Sequence, residues 1–250
     1  MSIHYNETTR LFTLRTASSS YQMQVDELGF LRHLYYGADV GTDDLSGLHR
    51  YYDLGFSGNH YEHRLERAPS PDVIPQEYSA SGAGDYRVPA AVVVGPSGHR
   101  GADWRYVSHE IRPGKYALPG LPAAHDADGA ESETLIITLR DDASGVTLRL
   151  LYGVFERLDV ICRAAQLQND GDAPVVLEKA GSVCLDLPFG DWDLMHFHGR
   201  HCLERQPERL HVPHCVLTVG SDRGMSSHQH NPFVILCDRD AAEDAGGCRA

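Results

Sequence analysis

Two aspartates beside a tryptophan are the residues in this chain whose spacing comes closest to a catalytic carboxylate pair. Asp191 and Asp193 flank Trp192. Two carboxyl groups held about 5–5.5 Å apart can act as nucleophile and acid/base in the cleavage of a glycosidic bond. Spacing alone does not establish such a pair. We interpret the two aspartates as part of a solvated turn.

Histidines offer a second kind of chemistry, because the chain has 15 of them. His196 and His198 are two residues apart on a predicted strand, so their side chains share one face. His228 and His230 repeat that spacing. A metal site needs three or four convergent ligands, and no third ligand stands out by spacing. We therefore expect loop histidines held by hydrogen bonds and no bound metal.

The six cysteines are interpreted as free thiols, since no two of them have the close spacing of a zinc or redox site. Four of them lie among apolar residues in predicted strands, where a cysteine behaves as a small buried hydrophobe. These four are Cys162, Cys184, Cys215 and Cys237.

The elements that must position these residues are strands. Segments rich in β-branched, aromatic and aliphatic residues are separated by short polar turns such as Asp26–Gly29 and Asp141–Gly145, which predicts antiparallel pairing. The strand-like segments are Leu11–Leu14, Ser20–Val25, Phe30–Gly37, Ala90–Val94, Glu133–Arg140, Val146–Val154, Asp159–Asn169, Val175–Ala180, His214–Gly220 and Phe233–Leu236. No segment of ten residues has helical periodicity. The pattern predicts an all-β antiparallel sandwich with little helix, and it leaves a jelly roll open.

Charge and hydropathy exclude several classes of partner. The chain has 22 Lys and Arg against 35 Asp and Glu, a formal charge of −13, which argues against binding nucleic acid or an anionic membrane. A neutral ligand such as a sugar fits this balance. No apolar run reaches the roughly 18 residues of a membrane span, and the N-terminus lacks the features of a signal peptide. We expect a cytoplasmic protein.

The stretch 38–83 has few strand signals and many Gly, Pro, Ser, Asp and His residues. It is long for an idle connection, so it is interpreted as a functional excursion. An aromatic platform for a sugar is available within it from Tyr51, Tyr52, Phe56 and Tyr61.

Three ordered motifs carry a family resemblance. Arg223–Phe233 reads RGMSSHQHNPF, Pro75–Tyr78 reads PQEY and is followed by GDYRVPA at Gly84–Ala90, and Ala180–Pro188 reads AGSVCLDLP. Together they resemble the N-terminal domain of glycoside hydrolase family 36, the α-galactosidases. The resemblance covers nearly the whole chain.

The resemblance implies a large two-sheet supersandwich without catalytic residues, cofactor or metal. In the family, the catalytic aspartates lie on a barrel that follows this domain. The domain supports that barrel, helps to form homo-oligomers and reaches the rim of an active site that binds an α-galactoside. The motif residues that the resemblance makes structural are Arg223, Ser226, Ser227, His228, Gln229 and Asn231.

Three residues are candidates for the active-site rim. The segment Tyr52–Asn59 is similar to the family's DRxFSxN loop, which makes Asp53 a candidate for touching sugar, although Leu54 replaces the usual Arg. Asp85 and Arg87 lie in the better-matched motif. Their opposite charges are two residues apart and could pair with loop backbone or with the neighbouring domain. The alternative role for Asp53, Asp85 and Arg87 is to anchor loops.

We expect one domain over residues 1–247, an aberrant tail at 248–250, and no catalytic barrel in this chain. The segment Ala242–Gly247 matches the family, whereas Cys248, Arg249 and Ala250 replace the family's next strand, as in a truncated gene. Two alternatives remain. One is a freestanding carbohydrate-binding module that uses the excursion, and the other is a sugar mutarotase with a histidine and a carboxylate as acid and base.

Overall fold

The computed structural model describes residues 2–49, 70–187, 190–223 and 229–244, and the backbone of 248–249. Apart from two short 3-10 turns, Ser46–Leu48 and Glu156–Leu158, every regular element in these residues is a strand. All the strand pairs are antiparallel, so the prediction of an all-β antiparallel fold is confirmed. The chain divides into two compact units, Met1–Leu187 and Pro188–Ala250.

The first sheet of unit 1 is a four-stranded meander in the order β1-β2-β3-β4. Its strands are β1 Ile3–Asn6, β2 Leu11–Arg15, β3 Ser19–Val25 and β4 Leu31–Ala38. The predicted turn between β3 and β4 is fixed by Asp26, whose carboxylate accepts hydrogen bonds from the backbone N–H groups of Leu28 and Phe30 at 3.0 and 2.8 Å. This local bonding by an aspartate is the reason such residues favour turns.

The second sheet of unit 1 is another meander, in the order β6-β7-β8-β9. Its strands are β6 Arg105–Pro113, β7 Glu133–Asp141, β8 Val146–Phe155 and β9 Val160–Asn169. The predicted hairpin turn after β7 forms because Asp141 accepts hydrogen bonds from Ser144 N and Oγ at 3.0 and 2.5 Å. Gly145 completes the turn at φ +73°, a conformation that glycine adopts without steric cost.

A two-stranded sheet completes unit 1. It pairs β5, Ala91–Val94, with β10, Val176–Ala180, across more than 80 residues of chain. The apolar core joins all three sheets, because residues at alternate positions of the strands point inward. Its fully buried members include Phe12, Leu14, Met23, Ala91, Leu135, Ile137, Leu148 and Val154.

Unit 2 carries one sheet in the order β12-β11-β13-β14. Its strands are β11 Trp192–Arg200, β12 Leu203–His211, β13 His230–Asp238 and β14 Cys248–Arg249. The last of these pairs with β13 through Leu236 and Cys237. Because β11 is the central partner of β12 and β13, its side chains are placed beside residues of two other strands.

The structure differs from the strand prediction in several places. Strands β1, β6 and β12 were not predicted, and no strand forms over 214–220. Consequently the interpretation of Cys184 and Cys215 as strand residues was wrong, and Cys215 is exposed. Cys162 is half-buried and Cys237 is buried, and the five cysteines whose side chains are described are free thiols.

Candidate functional site

A carboxylate at the centre of unit 1 collects four side-chain donors. Glu77, from the PQEY motif, is fully buried. Its Oε1 accepts hydrogen bonds from the hydroxyls of Tyr21 at 2.6 Å and Tyr152 at 2.7 Å, and Nη2 of Arg163 lies 2.7 Å from the same oxygen. Its Oε2 lies 3.2 Å from Nδ1 of His33. We call these five residues the Glu77 cluster.

Strands of both four-stranded sheets position the cluster. Tyr21 and His33 project from β3 and β4, whereas Tyr152 and Arg163 project from the paired positions of β8 and β9. The loop that carries Glu77 is itself fixed to β4, because the N–H of Glu77 donates to the carbonyl of Leu31 at 3.0 Å. The cluster therefore ties the two sheets together through one loop.

Burial and neighbouring positive charge shift the pKa of the Glu77 carboxylate in opposite directions. Desolvation by burial alone would raise the pKa of Glu77, but the charge of Arg163 and the hydrogen bond with His33 outweigh it, so the pKa lies below its ordinary value. Burial, together with the negative charge of Glu77, raises the pKa values of Tyr21 and Tyr152 well above their ordinary value. At neutral pH the cluster thus holds an ionised carboxylate, an Arg cation and two neutral phenols.

This arrangement suits a structural clamp better than a reacting centre. A histidine beside a carboxylate is the pair that an acid–base enzyme would use. However, the side chains of His33 and Glu77 are 1% and 0% exposed, so a sugar cannot reach them in this structure. All four donors are used to satisfy one buried charge, which is the condition under which such a charge is tolerated.

Asp85 and Arg87 form a second polar cluster in the same motif region. Asp85 is buried and accepts hydrogen bonds from the Arg87 guanidinium at 2.8 and 3.0 Å and from Gln76 at 2.8 Å. Arg87 also bonds the carbonyls of Pro71 and Ile74, and its Nη1 lies 2.9 Å from Asp186. These are loop-anchoring contacts, which was the alternative role for both residues.

Electrostatics of this second cluster follow from its partial burial. Burial would lower the pKa of Arg87, but the hydrogen bond with Asp85 and the charge of Asp186 raise it above its ordinary value. Burial also raises the pKa of Asp186, and the charge of Arg87 offsets part of that rise. The cluster joins the GDYR motif to the LDLP motif, which lie about 100 residues apart in sequence.

Several residues singled out from the sequence fall outside the described part of the chain. They are Asp53, the aromatic residues Tyr51, Tyr52, Phe56 and Tyr61, and Ser226, Ser227 and His228. Of the other motif residues, Arg223 and Gln229 line an open groove of about 580 Å³ together with His230. Asn231 lies on β13.

The interpretation of the two aspartates that flank Trp192 as a solvated turn was wrong for Asp193, whereas Asp191 is exposed and lies outside the strands. Asp193 lies on β11 and is buried, and it accepts a hydrogen bond from Arg209 at 2.6 Å and lies 3.3 Å from Nδ1 of His211. The hydrogen bond from Arg209, followed by that from His211, lowers the pKa of Asp193. Asp191 pairs with Arg239 at 3.2 Å. Cations therefore neutralise both carboxylates.

Histidines of two strands and a glutamate of a third lie near one another on the sheet of unit 2. His196 on β11 lies directly opposite Glu208 on β12, and His198 lies opposite His230 on β13. Sequence spacing did not reveal Glu208 or His230 as neighbours of the first pair. Among the described residues, no group of three or more His, Cys, Asp or Glu side chains could hold a metal ion. The described residues also include no helix long and apolar enough to cross a membrane.

Comparison with known proteins shows to which family the chain is related. The family model for the glycosyl hydrolase family 36 N-terminal domain matches residues 29–250. The bifunctional α-galactosidase/sucrose kinase AgaSK of Mediterraneibacter gnavus is 46% identical over 248 residues, which are 99% of this chain and 26% of that protein. The α-galactosidase Mel36A of Lactobacillus acidophilus is 36% identical over 98% of this chain and 33% of its own length.

Solved structures agree with the sequence relatives. The galactosidase domain of AgaSK superposes with a TM-score of 0.93 at 45% identity, covering 98% of this chain and 34% of that one. A variant of AgaA from Geobacillus stearothermophilus in complex with raffinose superposes with a TM-score of 0.90 at 37% identity, over 94% of this chain and 33% of that one.

The all-β fold and the three motifs thus define an accessory domain of a glycoside hydrolase. The chain belongs to glycosyl hydrolase family 36 as its N-terminal domain. It spans about a third or less of the relatives named above, and the part matched is their N-terminal portion.

Proposed function

We propose that this chain is the non-catalytic N-terminal domain of an α-galactosidase that hydrolyses terminal α-galactosides. The observation that supports it most directly is the match of nearly the whole chain to the N-terminal third of α-galactosidases. In this proposal the catalytic aspartates belong to a barrel outside these 250 residues. The domain supports that barrel, takes part in homo-oligomer formation and contributes to the rim of the active site.

Hydrogen bonds to the backbone of β4 support a rim role for the excursion. Residue 49, just before the segment 50–69, is fixed by a hydrogen bond between Nε2 of His49 and the carbonyl of Leu34 at 2.8 Å. After the segment, the carbonyl of Pro75 accepts a hydrogen bond from His33 N at 2.8 Å. The chain on both sides of this segment is therefore anchored on β4, which is the kind of rigid scaffold that carries binding residues. We assign Asp53, within the segment, to contact with sugar.

Asp85 and Arg87 take an indirect part in this proposal. Their hydrogen bonds to Gln76 and to the carbonyls of Pro71 and Ile74 fix the chain that returns from the loop. They therefore position the rim without touching sugar. The full-length enzyme is proposed to be cytoplasmic, to need no cofactor and to bind neither nucleic acid nor membrane, consistent with the formal charge of −13.

A chimera tests the proposal. The 250 residues replace the aligned N-terminal part of Geobacillus stearothermophilus AgaA, which is 38% identical over 98% of this chain. Activity is measured on raffinose and on a chromogenic α-galactoside, and the oligomeric state is measured by light scattering. We expect an active chimera, because a domain with the same fold should support the same barrel.

The variants Asp53→Asn and Asp43→Asn then separate rim contact from loop structure. Asp43 lies on the same excursion, before the anchor at His49. We expect Asp53→Asn to raise KM for raffinose about tenfold, the cost of one charged hydrogen bond, and Asp43→Asn to leave it unchanged. A folded but inactive chimera would refute the supporting role. Equal KM values for all three proteins would refute the rim role of Asp53.

A further inference from the structure

The segments that contain the GDYR and LDLP motifs run side by side in unit 1. The N–H of Gly181 donates a hydrogen bond to the carbonyl of Ala90 at 2.8 Å, and Nη1 of Arg87 lies 2.9 Å from Oδ2 of Asp186. These two contacts join the segments at two points and show that they run in opposite directions. Along both segments, exposed side chains alternate with side chains that are buried or bonded inward, as on an extended chain.

The outward side chains of the two segments are apolar. Tyr86 and Val88, on either side of Arg87, are 79% and 69% exposed, and Val183 and Leu185 are 54% and 36% exposed. We call these four outward residues the apolar patch. Single exposed apolar residues are ordinary, but an apolar surface assembled from separate segments marks an interaction site.

The first half of the apolar patch is held in place from below. Arg87 donates hydrogen bonds to Asp85 at 2.8 Å and to the carbonyls of Pro71 and Ile74 at 3.2 and 2.7 Å. The backbone that carries Tyr86 is therefore fixed by the bonded residues next to it. A surface that is already ordered loses less conformational entropy when a partner binds, so the patch is preorganised for contact.

The chemistry of the apolar patch suits a protein surface better than a sugar. A sugar site needs polar groups that converge on the ligand, whereas the neighbours of Tyr86 in the patch are aliphatic. The charges closest to it, Arg87 and Asp186, already neutralise each other. A tyrosine ring among aliphatic side chains is typical of the core of a protein interface, where the hydroxyl can bond to the partner.

The relatives indicate what covers the apolar patch. This chain spans 33% of Mel36A and 34% of the galactosidase domain of AgaSK, so most of such an enzyme lies outside the matched part. We propose that the apolar patch docks the catalytic part of the same polypeptide, an inference that rests on the proposed function. A small patch is sufficient for this contact, because the connecting chain gives the partner a high effective concentration.

Hydroxyl-radical footprinting, read by mass spectrometry, compares the 250-residue chain with the AgaA chimera. The oxidation rate of Tyr86 should fall at least about fivefold in the chimera, because side chains at the core of an interface are nearly fully buried. Leu158, which is 65% exposed in a 3-10 turn of unit 1, should react equally in both proteins. Dilution by about tenfold should leave the protection of Tyr86 unchanged, because a contact within one chain does not depend on protein concentration.

Two matched variants of the chimera place the contact. Val88 belongs to the apolar patch, whereas Val107 lies on β6 and is 56% exposed. Both Val88→Asp and Val107→Asp should leave the thermal midpoint of the 250-residue chain unchanged, because exposed substitutions have little effect on stability. In the chimera, only Val88→Asp should return the oxidation rate of Tyr86 to that of the chain alone, because burying an unpaired carboxylate is costly.

Four outcomes would overturn the docking role. They are an unprotected Tyr86 in a folded chimera, equal protection of Leu158, protection that survives Val88→Asp, and protection that is lost on dilution, which would assign the patch to a second copy of the chain. Protection in a folded but inactive chimera would instead refute the proposed function and leave the docking intact. If circular dichroism shows that the first chimera is misfolded, the galactosidase domain of AgaSK, 45% identical to this chain, supplies the catalytic part of a second.

Discussion

Replacing Glu77 by glutamine should strongly destabilise unit 1. Glu77→Gln keeps the side-chain volume but removes the charge that faces Arg163 at 2.7 Å. The guanidinium would then remain in the core, because its side chain is only 10% exposed. The amide would also place N–H donors where the carboxylate now accepts hydrogen bonds.

The magnitude follows from the partners that stay behind. Removing one member of a buried ion pair costs about 3–5 kcal/mol, because the other charge is left uncompensated. Tyr152→Phe removes a single hydroxyl donor and keeps the charge, so it should cost about 1.5–3 kcal/mol. Glu131→Gln breaks an exposed pair with Arg157 at 3.0 Å and should cost less than about 1 kcal/mol. We therefore expect the loss of stability to be largest for Glu77→Gln, smaller for Tyr152→Phe and smallest for Glu131→Gln.

Urea unfolding followed by tryptophan fluorescence measures the loss of stability that each variant causes in unit 1. Trp104 is buried in the core of unit 1, whereas Trp192 lies on β11 of unit 2. All variants are made in a Trp192→Phe background so that the signal reports Trp104 alone. With a slope of about 3 kcal/mol per molar urea, Glu77→Gln should lower the midpoint by roughly 1–1.7 M.

The double variant gives an independent check. If the Tyr152 hydroxyl acts mainly on the charge of Glu77, Tyr152→Phe should cost less in the Glu77→Gln background than alone. A Glu77→Gln cost within about 1 kcal/mol of that of Glu131→Gln would refute the clamp. Full additivity of Glu77→Gln and Tyr152→Phe would refute the coupling between them.

Three further predictions follow from the structure. The stability of unit 1 should decrease as the pH drops below 4.5, because folding lowers the pKa of Glu77 from that value. It should also decrease as the pH rises above 10, because folding raises the pKa values of Tyr21 and Tyr152 from that value. Glu77→Gln should flatten the acid side of a plot of urea midpoint against pH. Gly145→Ala should cost at least about 1–2 kcal/mol more than Gly98→Ala by thermal unfolding, because both have positive φ but only at Gly145 would the Cβ meet backbone, 2.8 Å from Gly171 Cα; equal costs would contradict this. The purified 250-residue chain should not hydrolyse a chromogenic α-galactoside, and turnover that persists through repurification would contradict its non-catalytic role.

The sequence by itself determined the fold class and the family. Alternating apolar residues in β7 predict a strand because burial of one face leaves a pattern in consecutive residues. The aspartate-led turns before β4 and β8 are predicted because an aspartate forms hydrogen bonds with backbone groups close to it in sequence. Strand β12 was not predicted because it lacks such a pattern. Nearly all of its residues are exposed, so buried and exposed residues do not alternate along it.

Only the tertiary structure decided which polar residues meet. Tyr21 and Arg163 are 142 residues apart in sequence and bond at 3.2 Å. Periodicity indicates which face of a strand a side chain occupies, but not which strand is its neighbour or at which residue the two strands pair. The Glu77 cluster depends on the packing of two sheets, and the approach of His196 to Glu208 depends on the register of β11 with β12. Neither relation is present in local sequence.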